Sequence, residues 1–279
     1  MQVWANGLGN VLSQDSNTIH SNPEIGYQSK MVGAVLGIDK RFAEHYYVGA
    51  LGGYTSSHVH FKQGKGTGDV NSGYAGIYAS ALGKMFYGNI SATASWNEFS
   101  AKRNIIYPGV NLTAKNDHLG TQLLSHLDTG VNIGFKGITL RPFDSFDYVV
   151  QKEKAYTERE AGKWNLHVNK ANAILIRNEL DLQLAGCIYL KSSKWTVAPK
   201  LSWVREVRVK GKSSVAQFVG TDAPFEVVGY YPDRSLLSPG VAVSGLMLND
   251  RLTLGAYYNG EFKGGYSSHN YGGEVRFGF

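Results

Sequence analysis

Apolar and polar residues alternate singly along most of this chain. A period of two predicts extended strands whose side chains sort to opposite faces. In the last ten residues one face carries Tyr271, Gly273, Val275, Phe277 and Phe279, and the other Asn270, Gly272, Glu274, Arg276 and Gly278. Residues 174–190 repeat the sorting, with Ile174, Ile176, Leu180, Leu182, Leu184, Ile188 and Leu190 opposed to Arg177, Glu179, Asp181 and Gln183. In 119–135, Leu123, Leu127, Val131, Ile133 and Phe135 oppose Gln122, His126, Asp128 and Asn132. A helix would repeat its apolar positions every three to four residues, and none of these segments does.

The pattern predicts twelve strands, at residues 1–12, 27–39, 45–61, 70–83, 85–101, 118–136, 138–151, 171–190, 194–209, 235–248, 251–263 and 268–279. Most run well past the five or six residues usual in a globular sheet. A strand crossing a bilayer at a tilt needs roughly 9–11 residues in the hydrocarbon alone. The connections alternate in length: short turns at 40–44, 84, 137, 191–193 and 249–250, longer polar loops at 13–26, 62–69, 102–117, 152–170, 210–234 and 264–267. Short turns on one side and long loops on the other is the outer-membrane arrangement. The predicted fold is therefore all-β, a twelve-stranded antiparallel transmembrane barrel spanning 1–279 as one domain, with both ends on the periplasmic side.

Composition agrees. The 279 residues include 34 Gly, 5 Trp, 17 Tyr and 12 Phe, and only 18% are charged, against about 25% in an average soluble domain. Forty-three per cent apolar residues exclude intrinsic disorder, which needs low hydrophobicity. No apolar run is long enough for a membrane helix. A barrel that alternates lipid-facing and lumen-facing residues keeps a soluble-looking mean hydropathy, here −0.23. Trp4, Trp96, Trp164, Trp195, Trp203 and the pairs Tyr46/Tyr47 and Tyr257/Tyr258 are expected in interfacial girdles. The chain opens at Met1-Gln2-Val3-Trp4 without a basic or apolar leader, the pattern of an exported or excised form.

The other face has a job to do. Arg141, Asp147, Arg177, Glu179, Asp181, Lys200, Glu206, Arg208, Glu274 and Arg276 are expected to line a hydrophilic pore, their mixed signs offsetting one another across neighbouring strands. Lone Cys187 is placed inward as a small buried or lumenal thiol and excludes a disulfide framework. The net charge of +6 comes largely from loop cations such as Lys62, Lys65, Lys102, Arg103, Lys115, Lys152, Lys154, Lys163, Lys170, Lys210 and Lys212. Scattered between strands, they suit an anionic lipopolysaccharide surface, and no compact basic face points to nucleic acid.

Candidate chemistry is thin. His58 and His60 share a strand face, two ligands short of a metal site, so no metal or cofactor is expected. Gly64-Lys65-Gly66-Thr67-Gly68 lacks the spacing of a phosphate loop and reads as a flexible outer loop. Adjacent Ser125 and His126 fall on opposite faces, and Ser267, Ser268 and His269 have no orienting partner in the sequence. Asp222, Asp233, Glu158, Glu160 and His167 could gather at the rim, as in any barrel with loops. An outer-membrane lipase or protease is the alternative function, with a free-standing pore or adhesin as a third.

Several local sequences carry a family likeness. Gly37-Ile38-Asp39 closes the second strand, Arg141-Pro142 leads to Tyr148, and Leu201 and Trp203 precede Glu206. Phe225-Glu226-Val227-Val228-Gly229 is followed by Asp233-Arg234, and the last strand ends on an aromatic. Over 3–279 the chain resembles the translocator β-domain of autotransporters, the type V secretion proteins of Gram-negative outer membranes. It departs in having Arg205 where the family usually carries His, and in showing, before Val3, no helix of the kind the family threads through its barrel.

The resemblance implies a non-enzymatic outer-membrane translocator and anchor, with a polar pore for passage and surface display of a passenger belonging to the parent protein. It also implies that the C-terminal strand, with Tyr271, Val275, Phe277 and Phe279 outward, is the signal read by the barrel-assembly machinery. The expected partners are outer-membrane lipid, lipopolysaccharide, that machinery and the passenger, with the barrel itself a monomer.

Overall fold

The computed structural model describes residues 1–19, 22–190, 193–211, 213–228 and 234–279. Twelve long strands form the wall: β1 Gln2–Gln14, β2 Tyr27–Phe42, β3 Tyr46–Phe61, β4 Gly66–Leu82, β5 Phe86–Tyr107, β6 Val110–Val131, β7 Ile138–Glu153, β8 Ala171–Leu190, β9 Ser193–Lys210, β10 Arg234–Met247, β11 Leu252–Lys263 and β12 Tyr266–Gly278. Each pairs antiparallel with its sequence neighbours, and β1 pairs with β12 from Gln2 opposite Gly278 to Gln14 opposite Tyr266, which closes the barrel. Closure leaves no free edge.

Alternation sets what each face does. Along β5 the outward side chains are Phe86, Gly88, Ile90, Ala92, Ala94 and Trp96, followed by Glu98, Ser100 and Lys102. The apolar stretch 86–96 is 11 residues long, matching the roughly 9–11 that a tilted strand needs. Val32, Leu36 and Ile77 are each more than 60% exposed; in water that would be a liability, in lipid it is burial. Polar outward positions pair up: Asn178 Nδ2 donates to Asp144 Oδ1 at 2.6 Å, and Arg205 Nη1 to Ser235 Oγ at 3.1 Å.

Several expected boundaries and placements are corrected. The loop expected at 102–117 is the top of one continuous hairpin, β5 running to Tyr107 and β6 starting at Val110. Its turn holds Gly109 at φ +78°. The Gly64–Gly68 stretch is not a flexible loop. A tight turn at Lys62–Gly64, with Gln63 at φ +58° and Gly64 at φ +66°, leads straight into β4 at Gly66. The loops expected at 152–170 and 210–234 instead carry a four-stranded sheet of Tyr156–Thr157, Leu166–Val168, Ser213–Phe218 and Phe225–Val228. Lys191, Ser192, Lys212, Gly229 and Asp233 lie outside the described residues.

That outer sheet docks on the β5–β6 hairpin. Ala161 packs against Ile105 and Ala114, with Val110, Leu112 and Trp164 around them. Arg103 binds Glu158 with two bonds, Nε to Oε1 at 2.9 Å and Nη2 to Oε2 at 2.6 Å, and Glu158 is only 6% exposed. The bidentate carboxylate raises the Arg103 pKa further above its ordinary value. Trp164 is thus a cap residue, stacked at 6.3 Å on Tyr107, and no girdle residue. Trp4, Tyr47 and Tyr257 also leave the girdle, because strand parity turns them into the lumen. Trp96 and Trp203 remain outward and exposed.

Candidate functional site

The lumen gathers the chemistry. On the β8–β9 wall, Lys200 Nζ donates to Glu179 Oε1 at 2.9 Å and Asp181 Oδ1 at 3.2 Å, and Ser202 Oγ donates to the same Asp181 oxygen. The Asp181 carboxylate is fully buried, and its Oδ2 has no partner among the described residues. Arg177 fans out to three carboxylates: Glu206 at 2.7 Å, Glu179 at 3.1 Å and Glu261 at 2.6 Å. Two cations against four carboxylates leave this cluster at a formal −2.

A second cluster sits where the barrel closes. Arg276 Nη1 donates to Asp39 Oδ2 at 3.2 Å and to Gln2 Oε1 at 3.1 Å, and its Nε to Glu274 Oε1 at 3.1 Å. Trp4 Nε1 donates to the Tyr78 hydroxyl at 2.6 Å, and that hydroxyl donates to Asp39 at 2.8 Å. The indole ring is placed inside because its N–H has a partner there.

On the remaining wall His126 lies between two carboxylates, Nδ1 2.6 Å from Asp147 Oδ1 and Nε2 3.1 Å from Asp128 Oδ2. Asn89 Nδ2 donates to Asp128 at 2.8 Å. Arg141 donates to Asn132 at 2.7 Å and Gln183 at 3.3 Å and lies over the Tyr87 ring. Together these groups coat the inner face of the barrel with polar side chains, most of them bonded to one another.

All ten residues named from sequence as pore-lining lie on inward positions of their strands. Asp39, Asn89, His126, Asp128 and Glu261 share that inner face beyond the ten. The signal that finds them is strand parity carried over from neighbours: Asp39 opposes Gln2, and His126 opposes Asp147.

Tyr271, Val275, Phe277 and Phe279 point away from the bore, with the Phe277 and Phe279 rings edge-to-face at 5.1 Å. Cys187 has inward parity but is exposed near the short turns, 3.6 Å from Thr196 Oγ1, so it is not buried. His58 is 2.7 Å from Asp69, and among the described residues no three metal-ligating side chains converge.

Comparison with known proteins fits this architecture. The profile described as "Autotransporter beta-domain" matches residues 3–259. The translocator domain of the autotransporter NalP from Neisseria meningitidis superposes with a TM-score of 0.78 at 14% identity, covering 100% of this chain and 88% of that one. The β-domain of the Bordetella autotransporter BrkA gives a TM-score of 0.66 at 17% identity over 99% of each chain. An extracellular serine protease of Serratia marcescens is 21% identical over 272 residues, 96% of this chain and 25% of that protein. The chain thus spans about a quarter of that relative's length.

Proposed function

Because the chain belongs to the autotransporter β-domain family and is an outer-membrane translocator barrel, we propose that its charged bore is the conduit for a passenger carried by the parent protein. The observation that carries the reading is the inner wall itself. Arg177, Glu179, Asp181, Lys200 and Glu206 on one side and Glu274 and Arg276 on the other line the bore, with Arg141, Asp147 and Arg208 between them. Most of their hydrogen bonds are met within the wall, so a passing chain meets polar groups that hold it only weakly. In the parent protein a helix filling the bore would leave the passenger anchored outside.

The short turns, and with them Met1 and Phe279, belong on the periplasmic side, and the capped hairpin faces outward. The outward aromatics of β12 serve as the strand offered to the barrel-assembly machinery, since an unpaired edge with alternating side chains is what strand addition recognises. Lipid and lipopolysaccharide are the surrounding partners, the barrel works as a monomer, and nucleic acid is not a partner. The enzyme reading lacks support of this kind: Ser125 points to lipid while both nitrogens of His126 are taken by carboxylates.

A reporter domain fused ahead of Met1 through a helical linker tests the proposal. It should become accessible to added protease on intact cells. A reporter that stays periplasmic while the barrel is folded in the outer membrane would overturn it.

A further inference from the structure

The outer wall carries a site that the conduit does not use. One row of outward positions runs across six strands in register: Tyr54 opposite Gly73, Gly73 opposite Trp96, Trp96 opposite Thr121, Thr121 opposite Lys152 and Lys152 opposite Asn172. Below this row the outward residues of β5 are apolar down to Phe86; above it come Glu98, Ser100 and Lys102. The row therefore marks the level where hydrocarbon gives way to headgroups.

Shape and charge coincide there. Tyr54 and Trp96 are 55% and 60% exposed, and between them Gly73 has no side chain. A Cβ at Gly73 would meet nothing within 4 Å, so the floor of the slot is open. Its aromatic walls stand two strand spacings apart, roughly 10 Å. The groove continues to Lys152, Lys154 and Lys170 and encloses about 940 Å³.

Among the described residues none of these three lysines makes an ion pair. Glu98 is the one carboxylate aimed outward along the groove. Glu153 turns inward, where Gln151 Nε2 donates to it at 2.6 Å. With Glu153 counted, the lining carries three lysines against two carboxylates, a formal +1, and the cationic groups are the ones left unpaired.

We propose that this groove is a specific seat for one phosphorylated glycolipid of the outer leaflet, an acyl chain lying over Gly73 between Tyr54 and Trp96 and a phosphate held by Lys152, Lys154 and Lys170. An amphiphile fits because the slot is apolar on its hydrocarbon side and cationic on its headgroup side. A protein partner would have to reach the apolar half through lipid. The inference rests on the capped hairpin facing outward, as proposed above.

The test uses the full chain folded into phosphatidylcholine nanodiscs and titrated with bisphosphorylated lipid A, retained lipid being counted by native mass spectrometry. Three variants are compared: Lys152→Gln/Lys154→Gln/Lys170→Gln, Gly73→Leu, and the charge-matched control Lys30→Gln/Lys65→Gln/Lys163→Gln. Wild type and control should retain one lipid per barrel. The lysine triple should bind at least about tenfold more weakly, since each surface cation contributes appreciably to anionic-lipid binding. Gly73→Leu should weaken binding with all lysines intact, and dephosphorylated lipid A or phosphatidylglycerol should bind wild type more weakly.

Equal loss in the control triple, or no loss in Gly73→Leu, would reduce the effect to general charge attraction and overturn the proposal. Equal binding of phosphatidylglycerol would overturn its glycolipid specificity. Orientation is read separately, by protease nicking of the cap on intact cells. Nicking that occurs only from the periplasm would fault the orientation, whereas correct orientation without retention faults the groove alone.

Discussion

Arg177 Nη2 lies 2.6 Å from Glu261 Oε1, although two strands, β9 and β10, separate the strands that carry them. The bond is a chord across the bore. Removing the guanidinium takes this partner from Glu206 and Glu261 and leaves Lys200 on Glu179 and Asp181. Arg177→Met should cost about 2 kcal/mol, below the 3–5 typical of a fully buried pair because the side chain keeps some exposure. It should also make the pore more cation-selective. Reversal potentials across a salt gradient in planar bilayers, with heat-shift electrophoresis for stability, measure both. Unchanged selectivity would mean that the cluster does not face the ion path.

Strand parity predicts opposite fates for neighbours. Leu182 is 50% exposed to lipid, so Leu182→Arg should cost about 2–4 kcal/mol. Gln183, next to it, accepts from Arg141 inside, and Gln183→Glu should stay within about 0.5 kcal/mol of wild type. Urea titration of folding into liposomes gives the two values. Similar losses would refute the assignment of faces.

At the chain end, Phe279 is 77% exposed and its N–H donates to the Met1 carbonyl. The bond belongs to the backbone, so Phe279→Ser keeps it while removing the ring. Refolding in detergent should be nearly unchanged, and delivery to the outer membrane in cells should slow markedly. Normal delivery measured by pulse-chase fractionation would show that the ring has no part in assembly.

The cap should loosen in alkali. Tyr156 stacks on His118 at 4.3 Å, and His118 on Phe99 at 4.7 Å. Burial, with Glu158 and Glu153 adding to it, pushes the Tyr156 hydroxyl from 10.0 up to about 12. The folded cap binds this proton more tightly than the released one, so its stability is level below pH 10 and falls between pH 10 and 12. Protease nicking near Tyr156 should rise in that window, and Tyr156→Phe should abolish the rise.

The strand pattern is legible because each face has a different solvent, and parity alone sorts the ten named charges to the inward face. The cap is not. Leu166–Val168 and Ser213–Phe218 are too short to show a period, and each pairs with a segment of another connection. Trp4 was misplaced because an indole near a strand end reads as interfacial; only the Tyr78 hydroxyl across the bore makes the inside its better place. Glu261 carries no such signal, because its partner Arg177 lies three strands away.

Eleven of the twelve ladders in the wall join strands that follow one another along the chain. The twelfth joins Gln2 to Gly278. Hairpins can therefore zip up one after another at low entropic cost, but the ring cannot shut until the last residues are in place, and that step carries the longest loop-closure penalty. The join includes Gly7 opposite Gly273 and Leu8 opposite Gly272, so little side-chain packing spans it there. The closing seam is thus the last part of the wall to form, and once shut it is held by its ladder and by bonds such as Arg276 to Gln2 and Asn10 to Asn270.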